Sequence, residues 1–334
     1  MRLTGKQSWV FENGIYVNTT GTVVGPIEGA GPLKDSFDSY YDDLHCKEQN
    51  WELAERRLMQ DSIKYALKKE NLQPHHIDFF LAGDLLNQNV TANYVARQHK
   101  IPFLGMFGAC STSMETIAIG SSLVDGGFAN RILATVSSHN ATAERQFRNP
   151  TEYAGQKPLT ATSTVTGAGT CLISREPSSI VIRSATIGRV HDLGITNPYD
   201  MGSAMAPAAV HTICQHFEDL HISYKEYDLI VTGDLSGVGT PIARQLLHEE
   251  GYDLGARYDD CGLLIYDSGQ NTFAGGSGCA CSAVVTYGHL FHELKKGTYH
   301  RILVVATGAL LNPIMMQQKE SIPAIAHAVS FERA

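Results

Sequence analysis

The sequence predicts an α/β protein made of two similar halves, about residues 1–174 and 175–334, each built on a mainly parallel sheet. Three observations carry that expectation. First, segments recur in the same order along the chain. "IDFFLAGDL" (77–85) matches "YDLIVTGDL" (227–235), "GACS" (108–111) matches "CACS" (279–282), and "RILATVSS" (131–138) matches "RILVVATG" (301–308). The separation widens only across an insertion that holds "EEGYDLGARYDDCGLLIYD", and three repeats in order signal a duplication. Second, the repeated strands are apolar throughout and alternate with helical patterns, as in a parallel sheet covered on both faces. Third, the helix after Cys110 carries only Glu115 before Asp125, and the helix after Cys281 carries no charge before Glu293. Helices without a polar face are buried, so these two are expected at the centre, packed on each other.

Taken in order, Asn50 caps a helix whose apolar stripe is Ala54, Leu58, Ile63, Ala66 and Leu67. Polar "ENLQPHH" ends it, and the strand Ile77–Ala82, a turn at Gly83 and Asp84, and a helix around "VTANYVARQH" follow. Then come a strand-turn-helix unit around Cys110 and the strand "RILATV". The second half repeats this with "MAPAAVHTICQHF", "YDLIVT", "PIARQLLHEE", "CACSAVVTYGHLFHELKK" and "RILVVAT".

Composition narrows the function classes. The 334 residues are 43% hydrophobic and carry a net charge of −8 with no block of like charges. That argues against nucleic acid, which needs a basic face, and against a polybasic membrane anchor. Seven cysteines, an odd number, fit reduced thiols better than a disulfide scaffold. The start, "MRLTGKQSWVFENG", has no signal-peptide core, and no run approaches the roughly 20 apolar residues that span a bilayer. A soluble chain is expected.

Cys110 sits where enzymes keep a nucleophile. A helix N-terminus lowers a thiol's pKa and offers N–H groups to an oxyanion, and Ser111 and Thr112 open the buried helix. The alternatives are a small buried packing residue or a wall of a ligand pocket. Cys279 and Cys281 lack a second pair of ligands and fall short of a structural zinc set. "YDDLHCKEQNWE" and "RYDDCGLLIYD" lack the spacing and glycine of a calcium loop, so their acids are expected at the surface and no metal site is expected.

Duplicated halves with a cysteine at the first strand-to-helix turn resemble the thiolase and ketoacyl-synthase superfamily, which implies a five-layer αβαβα thiolase-like fold. More specifically, "GKQSWVFENG", "AGDLLNQNVTANYVARQ", "GACSTSMETIAI", "SSHNATAERQFRNPTEYAGQKP", "TSTVTGAG", "DMGSAMAPAA", "TGDLSGVGTPI" and "AGGSGCACSAVVT" resemble the stage V sporulation protein AD family of spore-forming bacteria. That resemblance implies a protein that binds pyridine-2,6-dicarboxylate (dipicolinate), with calcium bound together with it and no other cofactor. It implies uptake into the developing spore, a peripheral place at the spore inner membrane, a part in germination, and membrane proteins of the same assembly as partners. A homodimer is expected from the superfamily.

Condensing enzymes of that superfamily also need a second-half histidine and an asparagine. Here Gly233 or Asp234 stands at the first position and Gly278 or Cys279 at the second, and no histidine lies between His248 and His289. An anion at Asp234 would destabilise a developing oxyanion. No catalytic residue is therefore expected, and a Cys110-dependent acyltransferase or ketoacyl-synthase-like enzyme is the alternative. For a planar dianion the segment 137–167 offers His139, Asn140, Arg145, Arg148, Gln156 and Lys157, beyond a strand's C-terminal end where α/β ligands bind. With Cys110, Ser111, Asp234, Ser277 and Cys279 these form the expected ligand wall, and Arg145→Ala is expected to weaken dipicolinate binding several-fold. The competing view is a solvated loop in which Glu144 pairs with Arg148.

Overall fold

A computed structural model describes residues 2–147 and 156–334. In chain order the first half contains β1 (Ser8–Val24), α1 (Trp51–Lys69), β2 (Phe79–Asp84), α2 (Val90–His99), β3 (Phe103–Gly105), α3 (Thr112–Asp125), β4 (Arg131–Ser138), α4 (Asn140–Phe147) and β5 (Gly167–Ser174). The second contains β6 (Ile180–Thr186), α5 (Met201–Leu220), β7 (Leu229–Thr232), α6 (Ser236–Glu249), β8 (Tyr258–Asp260), α7, β9 (Arg301–Ala309) and β10 (Ala324–Arg333). Helix α7 starts as Cys279–Val284, passes through a π-helical Val285–Leu290 and ends as Phe291–Lys296.

The duplication is visible in the topology. The first-half strands lie in the order β3-β2-β4-β5-β1 and the second-half strands in the order β8-β7-β9-β10-β6. In each, four strands run one way and the fourth in space (β5 or β10) runs against them. The two sets join where β1 pairs with β6, antiparallel, and a register shift between Val10 and Ile15 bends the joint. Helices α3 and α7 lie between the two sets, α1 and α2 cover the first on its outside, and α5 and α6 cover the second. This is the thiolase-like five-layer arrangement.

Sequence explains the layering. Asn50 caps α1 by accepting the Leu53 N–H at 2.9 Å, and Ala54, Leu58, Met59, Ile63, Ala66 and Leu67 bury one stripe of the helix. In α3, Met114, Ile117, Ala118 and Val124 are buried, each large side chain contributing about 1.5–3 kcal/mol. No helix among the described residues is long and apolar enough to cross a membrane.

One expectation needs correction. Asp260, expected at the surface, is completely buried. Its carboxylate accepts N–H groups from Leu235, Ser236 and Gly262 and the Thr232 hydroxyl. Those backbone donors replace water, which is what lets an acid sit inside.

Candidate functional site

The Cys110 turn is built by backbone conformation. Ala109 lies in the left-handed region at φ 51°, which reverses the chain between β3 and α3. The Gly108 carbonyl accepts both the Ser111 N–H at 3.1 Å and the Ser111 hydroxyl at 2.6 Å. Gly308, on β9, lets this turn come close: a methyl there would sit 2.2 Å from the Gly108 oxygen. Gly308→Val is expected to destabilise the fold by about 3 kcal/mol, read as a fall in the denaturant midpoint.

The second half repeats the turn. Gly278, at φ 100°, precedes Cys279, and the Ser113 and Ser282 hydroxyls meet at 2.6 Å between the two central helices. In each turn a cysteine follows a residue of positive φ, Cys110 after Ala109 and Cys279 after Gly278, while Cys281 lies within α7.

Cys110 is 7% exposed and lies in a pocket of about 500 Å3, open solvent at its mouth included. The walls are mainly apolar, with Leu85, Phe107, Phe147, Met201 and Leu311, and the polar side chains are Thr164 and Ser277. These two are neighbours because Ser163–Thr164 pairs in parallel with Gly276–Ser277 as a two-strand ribbon. Behind the thiol lies Asp234. Its carboxylate accepts the Gly278 N–H at 2.9 Å and the Thr307 hydroxyl, and the Cys110 thiol lies close enough to feel its charge. Burial lifts Asp234 to about 7. Burial and the Asp234 charge push the Cys110 thiol well above its ordinary value. The turn therefore holds a thiol and not a thiolate. No histidine is among the described residues that line the pocket.

The other expected ligand residues are spread out. Ser277 and Cys110 are on the wall, while Ser111, Asp234 and Cys279 are buried behind it, Cys279 donating to the Ser137 carbonyl at 2.9 Å. His139 is fully buried, receives the Ala141 N–H on Nδ1 and gives its Nε2 proton to the Leu44 carbonyl at 2.7 Å. Its burial pushes the imidazole down to about 4. Asn140 donates to the Thr164 carbonyl at 3.2 Å and so braces the wall. Arg145 turns away to ion-pair with Glu52 and stack on Trp51. Lys157 pairs with Glu144 at 2.9 Å, Gln156 is exposed, and Arg148 lies outside the described residues. Segment 137–167 borders the pocket through Ala143, Phe147 and Thr164. The apolar lining was absent from the sequence expectation; the only cue was Leu85, which follows the repeated "GD".

Other acids are buried in the fold as well. Burial lifts Glu28 to about 7 and Asp260 to about 6; burial also lifts Asp84, and burial with repulsion from Asp84 lifts Glu55. Acids ordinarily titrate near about 4, so the folded chain binds more protons than the unfolded one above that pH. Stability from this source is full below about pH 4 and is lost as pH rises through about 7. Buried His139, His216 and His327, pushed down to about 4, 3 and 4, act the opposite way, but only below about pH 6.5. The melting temperature is therefore expected to fall between pH 6.5 and 8.5, as scanning calorimetry would show.

The comparisons with known proteins agree with this geometry. The sequence pattern of stage V sporulation protein AD matches residues 5–332. Stage V sporulation protein AD of Bacillus subtilis (strain 168) is 66% identical over 334 residues, covering 100% of this chain and 99% of that protein. The chain belongs to the stage V sporulation protein AD family. Among solved structures it is similar to 3-oxoacyl-[acyl-carrier-protein] synthase III from Aquifex aeolicus VF5, at 14% identity and a TM-score of 0.52, covering 98% of each chain. It is also similar to human mitochondrial 3-ketoacyl-CoA thiolase in complex with CoA, at 14% identity and a TM-score of 0.58, covering 96% of this chain and 98% of that one. At such identity these likenesses show the fold that this sporulation family member shares.

Proposed function

We propose that this family member is a non-catalytic binding protein on a thiolase scaffold, with dipicolinate as its ligand, acting in the uptake of that compound into the developing spore. The observation that carries this reading is the carboxylate of Asp234 beside the Cys110 thiol. A condensing or acyl-transfer site needs a thiolate and a cationic or neutral donor at the developing oxyanion. Here a carboxylate keeps the proton on sulfur and repels the oxyanion. The remaining pocket suits one small flat ring, with Thr164 and Ser277 hydroxyls as donors to a carboxylate. Calcium enters as cargo, its oxygen ligands coming mainly from dipicolinate itself.

Because Asp234 titrates near 7, its charge grows as pH rises past that value and opposes a dianion in the pocket. Dipicolinate is expected to bind more weakly at pH 8 than at pH 6. Equal affinity at both, by calorimetry, would separate Asp234 from the ligand site. Attachment at the spore inner membrane through membrane-protein partners is part of the same proposal. So is a homodimer along β3, the last strand of the sheet, where Leu104 and Phe107 are exposed. A monomer in light scattering would remove the dimer.

A further inference from the structure

The two wall hydroxyls of the Cys110 pocket, on Thr164 and Ser277, are carried by the ribbon of Ser163–Thr164 and Gly276–Ser277. Strands this short do not hold a position unaided. The ribbon's own bonds run from the Ser163 N–H to the Gly275 carbonyl and from the Val165 N–H to the Ser277 carbonyl, both at 2.8 Å. Behind it sits Glu28, 1% exposed, on the single helical turn Pro26–Gly29 that follows β1. Glu28 Oε1 accepts the Thr166 N–H at 3.0 Å and also the Tyr266 hydroxyl. The rest of Thr166 is held too: its carbonyl accepts the Gly25 N–H at 2.7 Å, and its hydroxyl accepts the Asn140 N–H at 3.0 Å. Tyr266 lies along the other strand, where a methyl on Gly276 would sit 3.3 Å from its ring. Gln270 adds a second tie by donating to the Ile27 carbonyl at 2.8 Å. Glu28 thus links the continuation of one strand to the ring behind the other. Its second oxygen, Oε2, has no hydrogen-bond partner among the described residues.

We propose that Glu28 is a positioning residue for the Cys110 pocket: through Thr166 and Tyr266 it fixes the Thr164 and Ser277 hydroxyls where one ligand carboxylate meets both. This role rests on the reading of that pocket as a ligand site. Filling space alone calls for an apolar side chain, because an acid buried with one oxygen unpartnered is costly. What the acid supplies is a single acceptor shared by donors from the two sides of the ribbon. Hydrogen bonds weaken steeply as their angle closes, and a displacement of about 1 Å is enough to disable a site. The requirement is therefore the acceptor's place and not its charge. A glutamine offers the same Oε1 to both donors, whereas an alanine releases both.

The test compares the parent chain with Glu28→Ala, Glu28→Gln and Tyr266→Phe, by calorimetric titration with dipicolinate at pH 6 and by hydrogen–deuterium exchange without ligand. Glu28→Ala is expected to weaken dipicolinate about ten-fold or more, and Glu28→Gln to stay within about three-fold of the parent. Tyr266→Phe keeps the ring against Gly276 and deletes only the hydroxyl, and is expected to weaken binding several-fold. In Glu28→Ala, exchange is expected to quicken in peptides covering 161–166 and 274–278 but not in those covering β2 and β4. Equal affinity in all four proteins, or Glu28→Gln as weak as Glu28→Ala, overturns the proposal. If the parent does not bind dipicolinate at about 10 mM, it is the binding reading of the pocket that falls. Exchange then decides the role of Glu28: quickening at the ribbon that Glu28→Gln reverses upholds it, and unchanged exchange overturns it. Should Glu28→Ala not fold, Tyr266→Phe decides in its place, and parent-like affinity and exchange there overturn the proposal.

Discussion

Ser277→Leu is expected to lower dipicolinate affinity at the Cys110 pocket at least about 100-fold, close to 3 kcal/mol. Ser277 is 1% exposed and sits on the wall beside Cys110 and Gly278. A leucine there puts three additional carbons into a space sized for one ring. It also removes one of the two neighbouring wall hydroxyls, leaving only that of Thr164. Overpacking alone costs about 1–3 kcal/mol, so the melting temperature is followed in parallel. Thr164→Val gives the controlled counterpart. It keeps the shape and deletes only a donor, and is expected to cost several-fold in affinity with little change in stability. If both variants bind as the parent does, the ligand is not held between α3 and the Ser163–Thr164 ribbon.

The second large effect concerns reactivity. Cys110 is expected to react with iodoacetamide at pH 7.5 at least about 100-fold more slowly than a free thiol, whose pKa is near about 8.5. Burial and Asp234 both act against the thiolate. Asp234→Asn removes the negative charge while keeping one oxygen to accept the Gly278 N–H and an amide that can donate to the Thr307 hydroxyl oxygen, so alkylation is expected to speed up. Peptide mass spectrometry reads the adduct directly. Rapid labelling of the parent chain, or an acyl adduct on Cys110 after incubation with acyl-CoAs that is lost in Cys110→Ala, would favour the acyltransferase reading.

How much of this was legible in the sequence follows from locality. The strands that could be read, β2, β4, β7 and β9, are short apolar runs that occur twice. Strands β1, β5, β6 and β10 mix Thr, Ser and Gly with their apolar residues, such as Thr19, Thr20 and Thr22 of β1, all buried. The Cys110 turn was visible because glycine, cysteine and a buried helix are contiguous. Asp234 was visible because "GDL" repeats. The apolar lining was not, since Leu85, Phe107, Met201 and Leu311 come from four separated segments that only the fold brings together. Charge also misled. Arg145 carries the right charge for a dicarboxylate, but it sits on the face of α4 opposite Ala143 and Phe147 and is taken by Glu52. Glu55 lies within the buried stripe of α1, satisfied by Ser137 and Thr142, a partnership no spacing along the chain reveals.

The central claim is that an inherited acyl-transfer pocket now holds a ligand without transforming it. Its most direct test is a calorimetric titration of the full chain with dipicolinate at pH 6 and pH 8, with and without calcium, alongside Ser277→Leu. The expected result is saturable binding that is tighter at pH 6 and lost from the Cys110 pocket in the leucine variant. No binding at millimolar concentration at either pH, with or without calcium, would contradict it.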